Sequence, residues 1–210
     1  MSQPIRSAAR EAQPAPSDTS GETHASLALG ALFQELVYDR PYRILDLGAA
    51  RGPNVEILSG FCSRIQIEDL YASLGEVGLI GDACADATPS WPDRIVAYSE
   101  GRPFDIILAW DLMDYLGRPG IDALMERLRR CSATGAYLFA LTWTRKEIPA
   151  EPIHFRLVDR QTLVYESPTS KTRRGPIFTP RDFAAMAGGF RVHHSFLLKH
   201  GVQEYLFVRE

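Results

Sequence analysis

Long apolar runs are missing from this 210-residue sequence: no stretch of about 18 apolar residues is available to cross a bilayer. The N-terminus also lacks the apolar core of a secretory leader. A cytoplasmic protein without a membrane partner is therefore expected. Cysteine is scarce. Cys62, Cys84 and Cys131 are odd in number and widely spaced, which fits neither a disulfide framework nor a zinc spacing and suits a reducing compartment. A strong excess of one charge is missing as well. The net charge of -3 gives no global field toward nucleic acid or an anionic membrane, so neither is expected as a partner. No Ser-His-Asp or Cys-His pairing can be read from spacing. His193 and His194 are neighbours in a predicted strand, which should send them to opposite faces, and no metal site is expected.

What is present is organised around Tyr42 to Asn54. Ile44, Leu45 and Leu47 form a short apolar run suited to a strand buried on both faces of a parallel sheet. A glycine-rich turn follows from Gly48 to Gly52, and Pro53 stands where a helix can take its first residue. Glycines let the backbone approach a ligand closely, and a helix N-terminus presents free N–H groups. Asp46, on the turn side of the strand, can accept hydrogen bonds from a cationic or hydroxyl-bearing ligand. Two other readings stand beside this one. A dinucleotide fingerprint fails on spacing, because Gly48 and Gly52 are one residue too close and the middle glycine is absent. A glycine turn that serves only tight packing of helix on strand is the plainer alternative.

Along the chain, residues 1–24 are rich in Ser, Ala, Pro, Gln and Glu and are expected to form a disordered tail. Residues 25–210 are expected to form one domain. Leu29, Leu32, Phe33 and Leu36 recur at helical spacing, and Asp39-Arg40-Pro41 stops that helix. A short helix from Asn54 to Ser59 ends at Gly60. Arg64 to Leu70 reads as a second strand with Glu68 and Asp69 at its end. Gly75 to Arg102 yields no clear element. Phe104 to Asp111 is an apolar run ending in an acid. A helix begins near Pro119 or Gly120, with Gly135 as its expected cap, and Ala136 to Trp143 is a strand. Alternation around Asp159-Arg160-Gln161 predicts a hairpin. A polar, basic loop, Ser167 to Pro176, precedes a helix capped by Thr179 and opened by Pro180. Two closing strands follow, Phe190 to Leu198 and Val202 to Val208.

The run Asp46-Leu47-Gly48-Ala49-Ala50-Arg51-Gly52 resembles motif I of the class I S-adenosylmethionine (SAM) dependent methyltransferases, with Ala50 in place of the middle glycine. Phe104 to Asp111 resembles motif IV, and a last helix before an antiparallel pair is how such sheets finish. The resemblance covers about Tyr42 to Glu210. It implies an α/β three-layer sandwich with a mostly parallel central sheet and a C-terminal antiparallel strand pair. It implies S-adenosyl-L-methionine as cofactor, held by Asp46, Gly48, Ala50, Gly52, Asp69 and Asp111. Asp69 would take the ribose hydroxyls, with Glu68 as the neighbouring alternative, and Asp82 would contact adenine. The activity implied is methyl transfer to a small-molecule acceptor, with Asp111 as candidate catalytic base and Asp114 and Tyr115 as candidates to orient the acceptor. Trp110, Tyr115 and Trp143 are weighed evenly between core packing and ligand contact. The insertion 153–178 falls on the substrate side, where Lys171, Arg173 and Arg174 would suit an anionic acceptor unless they only form a solvated loop. The alternative function is a catalytically inactive, methyltransferase-like SAM-binding scaffold or regulatory partner. A monomer or a homodimer is expected, and an NAD-dependent oxidoreductase is disfavoured by the loop spacing.

Overall fold

The computed structural model describes residues 21–37, 39–76, 92–93, 102–176 and 178–210. Asp82, Cys84 and nearly all of the stretch without a clear sequence pattern lie outside these residues. Six strands form the central sheet: β2 (Tyr42–Asp46), β3 (Cys62–Ile67), β4 (Phe104–Trp110), β5 (Ser132–Trp143), β10 (Phe190–Leu197) and β11 (Val202–Arg209). Their order is β10-β11-β5-β4-β2-β3. The pairs β2–β3, β2–β4 and β4–β5 are parallel, while β11 runs antiparallel to both β5 and β10. The chain goes outward from β2 to β3 and then resumes on the other side of β2 with β4. That reversal leaves a crevice at the carboxyl ends of β2 and β4, the place where open α/β sheets bind ligands.

The parallel strands read as near-continuous apolar runs because both faces are covered. In β4, Ile107 and Ala109 join one apolar cluster while Ile106 and Leu108 join the other. β5 repeats the division, with Leu138 and Ala140 on one side and Phe139 and Leu141 on the other. The first face is covered by α3 (Leu70–Glu76), α4 (Arg118–Cys131) and α5 (Pro180–Met186). The second is covered by α1 (Leu27–Glu35), α2 (Gly52–Ser59) and the hairpin of β7 (His154–Asp159) and β8 (Thr162–Glu166). No helix among the described residues is long and apolar enough to cross a membrane.

Capping fixes where several elements start. Ser26 accepts from Leu29 N at 3.3 Å, and the buried Glu204 accepts from Ala28 N at 2.9 Å, so two side chains satisfy the N-terminus of α1. Thr179 and Asp182 form a reciprocal capping box on α5, with Pro180 in its first turn. Asn54 binds the backbone of β7 through both ends of its amide, donating to Phe155 O at 2.9 Å and accepting from Leu157 N at 2.8 Å. This clamps α2 to the hairpin.

Four sequence expectations need correction. Gly135 does not cap a helix: α4 ends at Cys131, Ser132 Oγ donates to Leu128 O at 2.7 Å to close the last turn, and Gly135, at φ +79°, lies inside β5. Residues 22–24 do not belong to a disordered tail. Glu22–Ala25 form β1, which adds to the hairpin by pairing with β8, and the His24 ring stacks on His200 at 3.9 Å. The basic loop holds a strand, β9 (Thr172–Arg174), paired with β6 (Glu147–Pro149). Finally, His193 and His194 do not point to opposite faces. A bulge between Val192 and His194 breaks the alternation and brings the two rings to 4.3 Å between centroids.

Candidate functional site

A cavity of about 310 Å3 opens at the carboxyl ends of β2 and β4. Leu47, Gly48 and Ala49 bring the end of β2 to it, Asp69 and Tyr71 follow β3, and Ala109 to Leu112 close β4. Glu151 to Phe155, the stretch leading into the hairpin, form the facing wall. The ends of three adjacent strands thus bring together Gly48, Asp69 and Asp111, which are far apart in sequence.

Asp46 lies beneath this cavity rather than in it. It is buried, and its Oδ1 accepts from Trp110 Nε1 at 2.6 Å and from Gly48 N at 3.0 Å. Burial pushes its carboxyl up to about 6; the two hydrogen bonds offset part of that, and the nearby Asp69 charge adds to it. Trp110 is the one non-glycine residue with positive φ among the described residues, at 51°. That left-handed conformation costs on the order of 1–2 kcal/mol. It is held by the bond to Asp46, by stacking on Phe155 at 5.3 Å and by edge contact with Phe139 at 5.6 Å. Gly48 is required by this arrangement, since a Cβ there would lie 2.7 Å from Trp110 Cδ1.

The other motif residues divide. Asp69 lines the cavity, and its Oδ1 accepts from Ala72 N at 3.1 Å, capping the start of α3. Glu68 does not line it and accepts instead from Gln66 Nε2 at 2.9 Å. Ala50 is exposed and outside the lining, because the loop turns away after Ala49. Gly52 is the first residue of α2, with open space where a Cβ would stand, so it makes no close approach.

Asp111 lines the cavity but is almost fully buried. It makes no side-chain cap on the 3-10 turn that follows, Leu112–Tyr115. Its Oδ2 accepts from Ile153 N at 3.2 Å and Trp143 Nε1 at 3.4 Å, while Oδ1 is buried without a hydrogen-bond partner. Burial raises this carboxyl to about 7, with the Ile153 and Trp143 bonds acting in the opposite direction. Asp114 accepts from Trp143 N at 2.8 Å, and burial holds its carboxyl well above the usual range. Tyr115 donates to Glu151 O at 2.9 Å. Asp114, Tyr115 and Trp143 do not line the cavity, so they support its wall instead of facing an acceptor. Lys171, Arg173 and Arg174 do not line it either, and the Arg173 guanidinium lies over the Tyr115 ring at 5.9 Å.

Sequence reasoning missed Tyr71, Glu151, His154 and Phe155. Tyr71 follows Asp69 by two residues, so the same turn delivers it. The start of the hairpin could be found only with its docking on α2 in hand. Burial, together with the positive Arg51 nearby, lowers the His154 imidazole. Among the described residues the cavity is lined by Asp69, Asp111 and Glu151 on the acidic side, the Tyr71 phenol and one weakly basic histidine, with no Lys or Arg.

No protein-family model matches this sequence, and no curated protein matches it. Solved structures match the fold. The PH0226 protein from Pyrococcus horikoshii OT3 gives a TM-score of 0.52 at 12% identity, covering 87% of this chain and 88% of that one. The glycopeptide N-methyltransferase MtfA, in its complex with S-adenosylhomocysteine, gives 0.50 at 12% identity, covering 87% and 88%. An S-adenosylmethionine-dependent methyltransferase from Clostridium acetobutylicum ATCC 824 gives 0.50 at 11% identity, covering 86% and 87%. The fold is the class I methyltransferase fold. On this methyltransferase fold the cavity occupies the switch point between β2 and β4, where open α/β sheets bind their ligands.

Proposed function

We propose that the chain binds S-adenosylmethionine in this cavity and transfers its methyl group to a small-molecule acceptor. The observation that carries the reading is the charge of the described lining: the acids Asp69 and Glu151 and the buried Asp111, with no Lys or Arg among the described residues. SAM brings a sulfonium and an ammonium against a single carboxylate, and its net positive charge is favoured there. A nicotinamide dinucleotide would instead bring a pyrophosphate against Asp69, Asp111 and Glu151. Asp69 retains an oxygen beyond its helix-capping bond and is the residue to accept from ribose hydroxyls. Gly48 lines the cavity, and its missing Cβ makes room for the Trp110 indole. Asp46 acts as a positioning residue, because its carboxylate is engaged by Trp110 and Gly48.

When bound, SAM supplies a methyl group already activated on sulfur, so alignment and exclusion of water are the main demands on the protein. Trp110, Tyr71 and Phe155 provide apolar walls for both. Asp111, raised to about 7, can hold or release a proton near neutral pH and is the candidate base where the acceptor must lose one. Among the described residues no Lys or Arg lines the cavity to pair with an anionic acceptor, and Lys171, Arg173 and Arg174 lie outside it, so they take no part in this reading. The free thiols Cys62 and Cys131 suit a reducing cytoplasm.

A second reading, SAM binding without turnover, draws on the full burial of Asp111 and its ties to Ile153 and Trp143. A thermal-shift series tests the ligand: SAM or S-adenosylhomocysteine should raise the melting temperature, and NAD and NADP should not. A rise with NAD alone would overturn the proposal. Release of S-adenosylhomocysteine over a panel of small acceptors separates the two readings.

A further inference from the structure

We propose that Glu35, His193 and His194 form a binding site for a divalent transition-metal ion of the zinc type, at the edge of the sheet and separate from the cavity. β10 is an edge strand, and a regular strand would send consecutive side chains to opposite faces. Here Val192 pairs with Phe207 and His194 with Leu206, so His193 is the extra residue of a bulge. Such a bulge re-aims side chains, and it turns both imidazoles toward the last residue of α1. Glu35 Oε1 lies 3.3 Å from His193 Nε2. One ligand atom from each of the three residues falls within 4.8 Å of the others.

Metal geometry fits this spacing. Two ligand atoms on a tetrahedral zinc at about 2.0–2.1 Å stand roughly 3.4 Å apart. The Glu35–His193 pair already has that separation, and a ring nitrogen of His194 stands within 4.8 Å of both. Two imidazoles and a carboxylate form a ligand set that binds zinc and neighbouring divalent ions and excludes calcium and magnesium, which take all-oxygen shells. A second observation concerns the carboxylate. Tyr137 donates to Glu35 Oε2 at 3.5 Å, which orients the group and leaves Oε1 toward the histidines, as outer hydrogen bonds do around metal ligands. Glu35 is exposed and the histidines are half-buried, so an ion has access. A groove of about 300 Å3 beside Glu35 and His194 leaves space for the remaining ligand, a water or a donor from a bound molecule. The bound ion would tie the end of α1 to a strand near the opposite end of the chain.

The test is calorimetric titration of zinc chloride into the EDTA-treated, dialysed full-length chain at neutral pH. Saturable one-to-one binding is expected, with a melting temperature that rises on zinc addition and falls back with EDTA. His194→Ala and the near-isosteric Glu35→Gln should each weaken binding at least about tenfold, the usual scale for losing a ligand or its support. Both variants should match the wild-type far-ultraviolet spectrum and metal-free melting temperature. The stacked pair His24 and His200 is the rival imidazole cluster. A His24→Ala, His200→Ala variant should keep full affinity. Absence of saturable binding, undiminished affinity in His194→Ala and Glu35→Gln, or loss only in the His24 and His200 variant would each overturn the proposal and leave Glu35–His193 as a surface hydrogen-bonded contact.

Discussion

The indole of Trp110 donates to the carboxylate of Asp46 across 2.6 Å, joining the ends of two adjacent parallel strands beneath the cavity. The bond explains why a bulky residue tolerates positive φ at the end of β4, and why the acid of the glycine-loop motif is sealed from ligand. Trp110→Phe should remove the donor, keep an apolar ring, and cost about 1–3 kcal/mol of stability. The bond favours the ionised form of Asp46, whose carboxyl stands at about 6. The loss should therefore be largest above that pH and shrink below it. Urea denaturation at mildly acidic and mildly basic pH checks this; equal losses at both would show that the bond does not act on the charge.

The two motif glycines should respond differently. Gly48→Ala places a methyl 2.7 Å from Trp110 Cδ1 and 2.8 Å from its Nε1, and should destabilise by about 1–3 kcal/mol as overpacking does. Gly52→Ala meets nothing within 4 Å at the first position of α2. It should be neutral or stabilise by up to about 1 kcal/mol, through a less flexible unfolded chain. Thermal denaturation of the two variants decides the matter. A large loss in Gly52→Ala would mean that the loop depends on that glycine in a way the packing does not require.

Asp111→Asn should separate a proton-carrying role from a structural one. The folded carboxyl stands at about 7 against an ordinary value of 3.8. Between those values the unfolded chain has released a proton that the folded chain still holds, so wild-type stability falls as pH rises. The slope from this group is on the order of 1.4 kcal/mol per pH unit. The amide carries no such proton, so the variant should gain on the wild type by that slope from about pH 4 to about pH 7. If Asp111 is the base, turnover should also fall by on the order of a hundredfold. Normal turnover with the predicted stability shift would leave alignment alone to explain catalysis.

The fold was legible where the local pattern carried its own physics. Ile44 to Gly52 and Phe104 to Asp111 announced buried parallel strands, and Thr179-Pro180 announced α5, because burial and capping act within a few residues. The site was legible in part. Asp69 was preferred with Glu68 as the alternative, and of the two only Asp69 lines the cavity. Gly48 was picked for approach to a ligand, yet its tightest neighbour is Trp110, a contact that exists only once β2 and β4 lie side by side. Ala50 was assigned to the pocket by resemblance of the loop sequence, yet it is exposed and outside the lining. Asp111 was read from the end of its own apolar run, but its partners Ile153 and Trp143 belong to other segments altogether. The two histidines were misassigned for a different reason: a one-residue bulge reverses side-chain direction without any mark in composition or spacing.

The central claim, a SAM site organised on Asp69, is tested most directly by calorimetric titration of S-adenosylhomocysteine. The account predicts saturable one-to-one binding to the wild type. In a folded Asp69→Ala variant the affinity should fall by roughly ten- to a hundredfold, the cost of losing a charge-assisted hydrogen bond. Glu68→Ala should bind as the wild type does, because Glu68 is turned to Gln66 and away from the cavity. No binding to the wild type, or undiminished affinity in Asp69→Ala, would contradict it.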